Sequence, residues 1–350
     1  MEEGINKRKT EHIRHCLTDN VEGVNKSTGL EGISFIHNAL PEINFNDIDL
    51  ETSFLGKVIN APFLVSSMTG GSELAEKINQ NLAVAAEEKG WAIGLGSTRA
   101  LLESDAHKDS FLIRRQAPTV PLIANIGAVQ LNYGYGAAEC QRIVDLTGAD
   151  SIVLHFNPLQ EAVQDGGDLN FENLLPNIEK VCKELTVPVG AKEVGFGIDG
   201  TVAKKLYDAG VSYIDVAGAG GTSWSQVEKL RSQDPLKKAA AEAFNNWGIP
   251  TKDCIVSVKS ALGDVPLVSS GGMKTGMDAA KALTIGSDLV GFARTLLKAA
   301  TESDRAVVET MDQIELELKM TMFGIGARTI DELKNTKRVT IMGKSLLEKE

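Results

Sequence analysis

From Ala61 onward the chain alternates short apolar runs with amphipathic stretches, and glycines or small polar residues follow nearly every run. Runs of this length, without a helical period, read as strands buried on both faces. Strands are expected at 62–67, 91–95, 121–126, from Asp150 onward, and at 187–194, 213–217, 265–269 and 288–292. The stretches between them predict helices at 73–89, 104–116, 136–147, 171–185, 200–209, 251–262, 275–285 and 304–322. Gly90 stands where the first helix should stop, as a C-terminal glycine. An insertion at 223–248 follows the sixth strand and predicts one helix, at 236–246.

Eight strand–helix units imply parallel strands with right-handed crossovers. Their number and spacing predict a (β/α)8 TIM barrel over residues 61–325. Residues 1–60 form an N-terminal arm and lead-in segment, and 326–350 a polar C-terminal tail. An open doubly wound sheet is the alternative. It would carry one dominant glycine fingerprint, whereas here small residues end nearly every strand, as a mouth built from all the βα loops requires.

The fourth strand reads D-S-I-V-L-H-F-N-P-L-Q-E over 150–161. Ile152, Val153 and Leu154 are buried-strand material, and Pro158 ends the ladder because it has no N–H to donate. Alternation puts His155 and Asn157 on one face. Imidazole, amide and carboxylate therefore cluster where this strand meets the barrel mouth.

Composition narrows the classes. A formal net charge of -11 and a pI near 5.1 argue against nucleic acid or an anionic membrane as partner. No apolar run is long enough for a membrane span, and the charged N-terminus lacks a signal-peptide core, so a cytoplasmic protein is expected. The four cysteines are far apart and form no C-x-x-C pair, which fits free thiols in a reducing compartment. Against this acidic background Lys7, Arg8, Lys9, His12, Arg14 and His15 crowd the first twenty residues. Two readings are open: a solvated tail, or a basic arm that folds over an anionic substrate.

The strand ends supply chemistry. S-S-G-G-M at 269–273 and G-F-A-R at 291–294 lie where barrels commonly bind phosphate through backbone N–H groups. G-G-T at 220–222 adds further donors. M-T-G-G at 68–71 can present backbone to a planar ring, and Asn125 and Lys192 end strands in the same mouth. Lys192 suits the stabilisation of negative charge on a ring; its other reading is a barrel-lining salt bridge with Glu193 or a neighbour. FMN, a planar phosphorylated cofactor, answers this pattern. Gln160 with Glu161 suits Mg2+, which is often shared between one carboxylate and a substrate diphosphate; the other reading is a solvent-facing loop carboxylate. The arm and Arg99 would meet the remaining diphosphate charge.

R-K-T-E-H at 8–12, S-M-T-G-G at 67–71, G-S-T-R at 96–99, H-F-N-P-L-Q-E at 155–161, K-E-V-G at 192–195, G-G-T at 220–222 and S-G-G-M at 270–273 occur in order along the chain. Together they resemble the type 2, FMN-dependent isopentenyl-diphosphate delta-isomerase family. Phe156 stands where that family more often has leucine. The resemblance implies conversion of isopentenyl diphosphate to dimethylallyl diphosphate with reduced FMN, Mg2+ and NADPH as reductant, in a homo-oligomer (tetramer or octamer). It implies that Arg8, Lys9, His12, Ser97, Thr98, Arg99, His155, Asn157 and Gln160 contact substrate and that Glu161 holds Mg2+. It implies FMN contacts from Ser67, Met68, Thr69, Ser97, Asn125, Lys192, Thr222, Gly271, Gly272, Met273, Ala293 and Arg294. Reduced FMN itself is implied as the acid/base.

Other flavin or nucleotide barrels fit less well. A 2-hydroxy-acid oxidase needs a histidine late in the barrel, and the histidines here are His12, His15, His37, His107 and His155. A cysteine nucleophile in the loop after the sixth strand is missing from G-A-G-G-T-S-W, and clustered cysteines for iron–sulfur are missing throughout. A non-catalytic flavin-binding barrel leaves the basic arm with Gln160 and Glu161 unexplained.

Overall fold

The computed structural model describes residues 2–104 and 108–341. Eight parallel strands close into a barrel: β1 (Phe63–Val65), β2 (Ala92–Gly94), β3 (Leu122–Gly127), β4 (Ser151–Phe156), β5 (Val189–Glu193), β6 (Tyr213–Asp215), β7 (Leu267–Ser269) and β8 (Leu289–Phe292). β8 pairs with β1 and completes the ring. Seven lie inside the spans expected from the apolar runs, and β3 runs one residue past its span, to Gly127.

Alternation divides the barrel lumen into layers. Leu64, Ala92, Ile123, Val153, Tyr213, Val268 and Leu289 form an apolar cluster with Phe54 and Ile59. The last two belong to a small antiparallel pair, Thr52–Phe54 with Lys57–Ile59, in the lead-in. Phe54 meets Tyr213 edge-on with centroids 5.4 Å apart. Burial of one such ring stabilises by about 1.5–3 kcal/mol. The Tyr213 ring fits because residue 190 is glycine; a Cβ there would collide with it. Two residues further along their strands come Asn125, His155, Lys192 and Asp215. The period of two thus places polar side chains in the next layer toward the C-terminal mouth.

The helices follow from their caps. Ser72 accepts the Ala75 N–H to start Glu73–Lys89, and Gly90 ends it at φ 68°. Thr275 and Asp278 form a capping box at the start of Gly276–Thr284.

Two expectations are corrected and a third is extended. The 104–116 helix is instead a short helix, Arg99–Glu103, and two 3-10 turns, Lys108–Ser110 and Ile113–Arg115; residues 105–107 lie outside the described residues. Arg114 explains part of this, because its guanidinium binds the carbonyls of Ala117, Val120 and Gly148 and the Asp150 carboxylate. Pro158 does more than end a strand. It occupies the first position of a helix, Pro158–Val163, where its missing N–H costs nothing. The insertion holds two helices, Trp224–Arg231 and Pro235–Ala241, the second continued by a 3-10 turn at Glu242–Phe244.

The basic arm is a helix, Glu2–Thr18, that packs against the Trp224–Arg231 helix. The part of the 326–350 tail within the described residues forms the helix Ile330–Lys334 and the strand Val339–Ile341. That strand pairs antiparallel with Ile33–Phe35 of the lead-in.

Candidate active site

Two adjoining cavities open among the βα loops. The larger, of about 400 Å³, is lined by the loops after β1, β6, β7 and β8, with Lys192. The smaller, of about 160 Å³, is lined by loops after β2 to β4 and by arm residues Arg8, Lys9 and His12. Ser67, Met68, His12, Lys192, Val194 and Trp224 line both.

The arm is held by one buried carboxylate. Glu228, on the Trp224–Arg231 helix, accepts from His12 Nε2 at 2.8 Å and from Gln160 Nε2 at 3.0 Å on the same oxygen. Its other oxygen takes Arg231, which also binds Glu11 of the arm at 3.1 Å. Burial would raise the Glu228 carboxyl; the hydrogen bond from His12 and the Arg231 charge hold it down at about 2. The His12 ring meets Trp224 edge-on at 5.1 Å, and burial lowers its pKa against the pull of Glu228. From Gln160 the network continues, since Asn157 Nδ2 donates to Gln160 at 3.3 Å and to Glu161 Oε1 at 2.8 Å.

Arg8 and Lys9 carry charge without a matching anion. The Nε of Arg8 is buried with no hydrogen-bond partner, and desolvation lowers its pKa. Burial, with Arg8 beside it, pushes the Lys9 ammonium down to about 8. Neither forms a salt bridge among the described residues. Glu228 is already occupied, so two cations lean over a small cavity in need of an anionic ligand.

Arg99 is already engaged, by Asp168 at 2.8 Å, Glu103 at 2.9 Å and Gln130 at 3.1 Å. Glu161 accepts from Asn157, from Gln164 Nε2 at 3.1 Å and from the Asp168 N–H at 2.8 Å. Burial raises its pKa against these bonds. Among the described residues no cluster of three metal-binding side chains occurs.

His155 donates through Nδ1 to Asn125 Oδ1 at 2.7 Å, which leaves Nε2 as an acceptor. Burial, with Lys192 and Lys9 nearby, holds the ring neutral with a pKa of about 3. Lys192 forms no salt bridge with Glu193. It donates to the Glu193 carbonyl, while the Glu193 carboxylate turns away to accept the N–H groups of residues 194–197. The carboxylate paired in register with Lys192 is Asp215, itself bound by Ser270 Oγ at 2.7 Å.

The larger cavity has open polar positions. Ser66 Oγ and Thr69 Oγ1 line it, buried and without partners. Gly271 and Gly272 have φ of 97° and 78°, and a Cβ on either would collide with the carbonyls of Gly218 and Gly220. These loops lie backbone against backbone, with the cations Lys274 and Arg294 beside them. A phosphorylated planar ligand fits this donor set.

The pattern of the FMN-dependent dehydrogenase family matches residues 159–340. Among curated relatives, the isopentenyl-diphosphate delta-isomerase of Oceanobacillus iheyensis is 78% identical over 349 residues, covering all of both chains. The chain belongs to the isopentenyl-diphosphate delta-isomerase family. Its Rickettsia bellii relative of that name is 51% identical, covering 94% of this chain and 96% of the other. Among solved structures, flavocytochrome b2 with sulfite bound superposes with TM-score 0.68 at 17% identity, covering 95% and 83%. The Pediococcus acidilactici lactate oxidase gives 0.67 at 16%, covering 98% and 95%. At such identity these two share the fold.

Within this family member the expected residues divide unequally. Ser67, Met68, Thr69, Lys192, Thr222, Gly271, Gly272, Met273, Ala293 and Arg294 line the larger cavity. Arg8, Lys9, His12, Ser97, Arg99, His155, Asn157, Gln160 and Glu161 line the smaller one, as does Asn125. Thr98 lines neither; it is buried and donates through Oγ1 to the Asn125 carbonyl at 2.6 Å. Sequence reasoning missed Glu228, Trp224, Asp168 and Asp215. Asp215 could have been found by counting two on from Tyr213, but Glu228 sits in a stretch that reads as solvated.

Proposed function

We propose that the protein isomerises isopentenyl diphosphate to dimethylallyl diphosphate, with FMN in the larger cavity and the diphosphate in the smaller. The observation that carries this reading is the pair of unmatched cations, Arg8 and Lys9, over a small cavity that adjoins a larger one with open polar positions. A diphosphate supplies the missing charge. Arg99, His12 and Gln160 complete its cradle, and Ser97 and Thr98 fix the loop. Glu161 would hold Mg2+, which would neutralise charge on the diphosphate.

When bound and reduced, FMN supplies the acid/base group for shifting the double bond, with no net redox change. The protein's share is positioning. Lys192 carries positive charge into the flavin cavity, where it favours the anionic ring. His155 is neutral, with Nε2 unprotonated, and Asn157 lines the same cavity, so the imidazole itself adds no positive charge to oppose that at the tertiary carbon. Trp224 and Val194, common to both cavities, exclude water between cofactor and substrate. NADPH enters only as the source of flavin electrons. A homo-oligomer belongs to the same reading and rests on the family resemblance.

A 2-hydroxy-acid oxidase is disfavoured because no histidine follows His155 in the sequence. The test is an anaerobic assay with FMN, NADPH, Mg2+ and isopentenyl diphosphate. Dimethylallyl diphosphate that vanishes when FMN or reductant is omitted supports the reading. A bound, reducible flavin without product would overturn the substrate.

A further inference from the structure

The phosphate side of the larger cavity holds an acidic residue that the isomerisation does not need. The lead-in is clamped there by its backbone: Val21 is fully buried, and its carbonyl accepts the Ser223 N–H at 2.7 Å. The next residue, Glu22, bridges Thr222 as an antiparallel pair. Backbone anchoring on the β6 loop thus delivers the Glu22 side chain to the β7 and β8 loops. One carboxylate oxygen takes Arg294 Nη2 and lies 3.1 Å from Lys274 Nζ; the other accepts from Lys274 at 3.4 Å. Both cations line the cavity beside Gly271 and Gly272.

A carboxylate and a phosphate dianion want the same guanidinium. Arg294 is the more sheltered cation, at 30% side-chain exposure, and Lys274 the more open, at 57%. A phosphate bound within the cavity would meet the sheltered Arg294, while Lys274 offers Glu22 a second partner at the more open side. We propose that Glu22 is an internal counter-anion, which holds Arg294 in the flavin-free protein and yields it to the cofactor phosphate. It thereby weakens the preference for a phosphorylated over an unphosphorylated flavin. This rests on the reading of the larger cavity as the flavin site.

The competing role has the opposite sign. A carboxylate that braces Arg294 in its working orientation would strengthen phosphate binding. The two are separated by titrating flavin-free protein with FMN and with riboflavin, following flavin fluorescence, in the unaltered protein and in Glu22→Gln. The amide keeps the size of the side chain, and the anchoring contacts belong to the backbone. Loss of a partly exposed charge contact predicts about fivefold tighter FMN binding at low salt, shrinking as salt rises. Riboflavin affinity stays unchanged. Glu22→Ala gives the same sign and serves if the amide variant folds poorly. Weaker FMN binding in either variant makes Glu22 a brace and overturns the proposal. An equal change for riboflavin means that cavity shape, not phosphate charge, is responsible, and overturns it too. FMN binding that is insensitive to Glu22 sinks the proposal alone, whereas no flavin binding by folded, unaltered protein sinks the cofactor reading beneath it.

Discussion

Glu228→Gln should undock the basic arm while leaving the barrel intact. The carboxylate receives donors on both oxygens, from His12, Gln160 and Arg231. An amide of the same size has one acceptor oxygen and an NH2 group, so one buried donor must face another donor. An unsatisfied buried group costs about 1–3 kcal/mol, or about five- to 150-fold in the docking equilibrium. The ion pair with Arg231 is lost as well, so the upper half of that range is expected. Trypsin reads the docking directly, because Arg8, Lys9 and Arg14 lie on the arm. Cleavage there should accelerate by at least about tenfold. The KM for isopentenyl diphosphate should rise, because Arg8 and Lys9 leave with the helix. Thermal unfolding of the barrel should stay within a few degrees. Unchanged trypsin cleavage together with an unchanged KM would refute the latch.

Four further outcomes follow from the site. Above pH of about 8 the Lys9 ammonium deprotonates in the free enzyme, so kcat/KM should fall as pH rises; Lys9→Arg should flatten that limb. The sign reverses for the empty protein: between about 8 and 10.5 the undocked lysine holds the proton that the docked one has lost, so arm docking strengthens with pH, as trypsin protection would record. Gly271→Ala forces a Cβ onto the Gly218 carbonyl at a φ of 97°, so the purified variant should lose bound flavin, measured by visible absorbance, while the far-UV spectrum persists. Glu161→Gln should raise the Mg2+ concentration for half-maximal activity by about tenfold or more, read from a Mg2+ titration.

The barrel was legible because its strands are apolar runs punctuated by small residues, which is a local signal. The cluster at His155, Asn157 and Glu161 was legible for the same reason, as polarity begins where the buried run ends. What escaped depends on distant partners. Residues 104–116 have helical composition, yet the Arg114 guanidinium donates to the carbonyls of Ala117, Val120 and Gly148 and holds the segment in turns. Glu228 lies in W-S-Q-V-E-K-L-R, which reads as a solvated segment. Its burial comes from the arm, more than two hundred residues earlier. Trp224 and Glu228 stand four apart, one helical face, and that pairing of an aromatic with an acid was the faint signal available. Arg99 looked free for diphosphate because Asp168 is remote in sequence.

The pairing of Ile33–Phe35 with Val339–Ile341 has a consequence for biogenesis. Roughly 15 to 60 s of synthesis, at about 5–20 residues per second, separate the two strands on a translating ribosome. During that interval the lead-in has an unpaired edge, and the basic arm has no Trp224–Arg231 helix to meet until residue 231 has emerged. Barrel closure through β8 and β1 also waits until residue 292 has been made. The cofactor site is therefore completed only once β8 has been made, and until the Trp224–Arg231 helix forms the arm lacks the surface that shelters it.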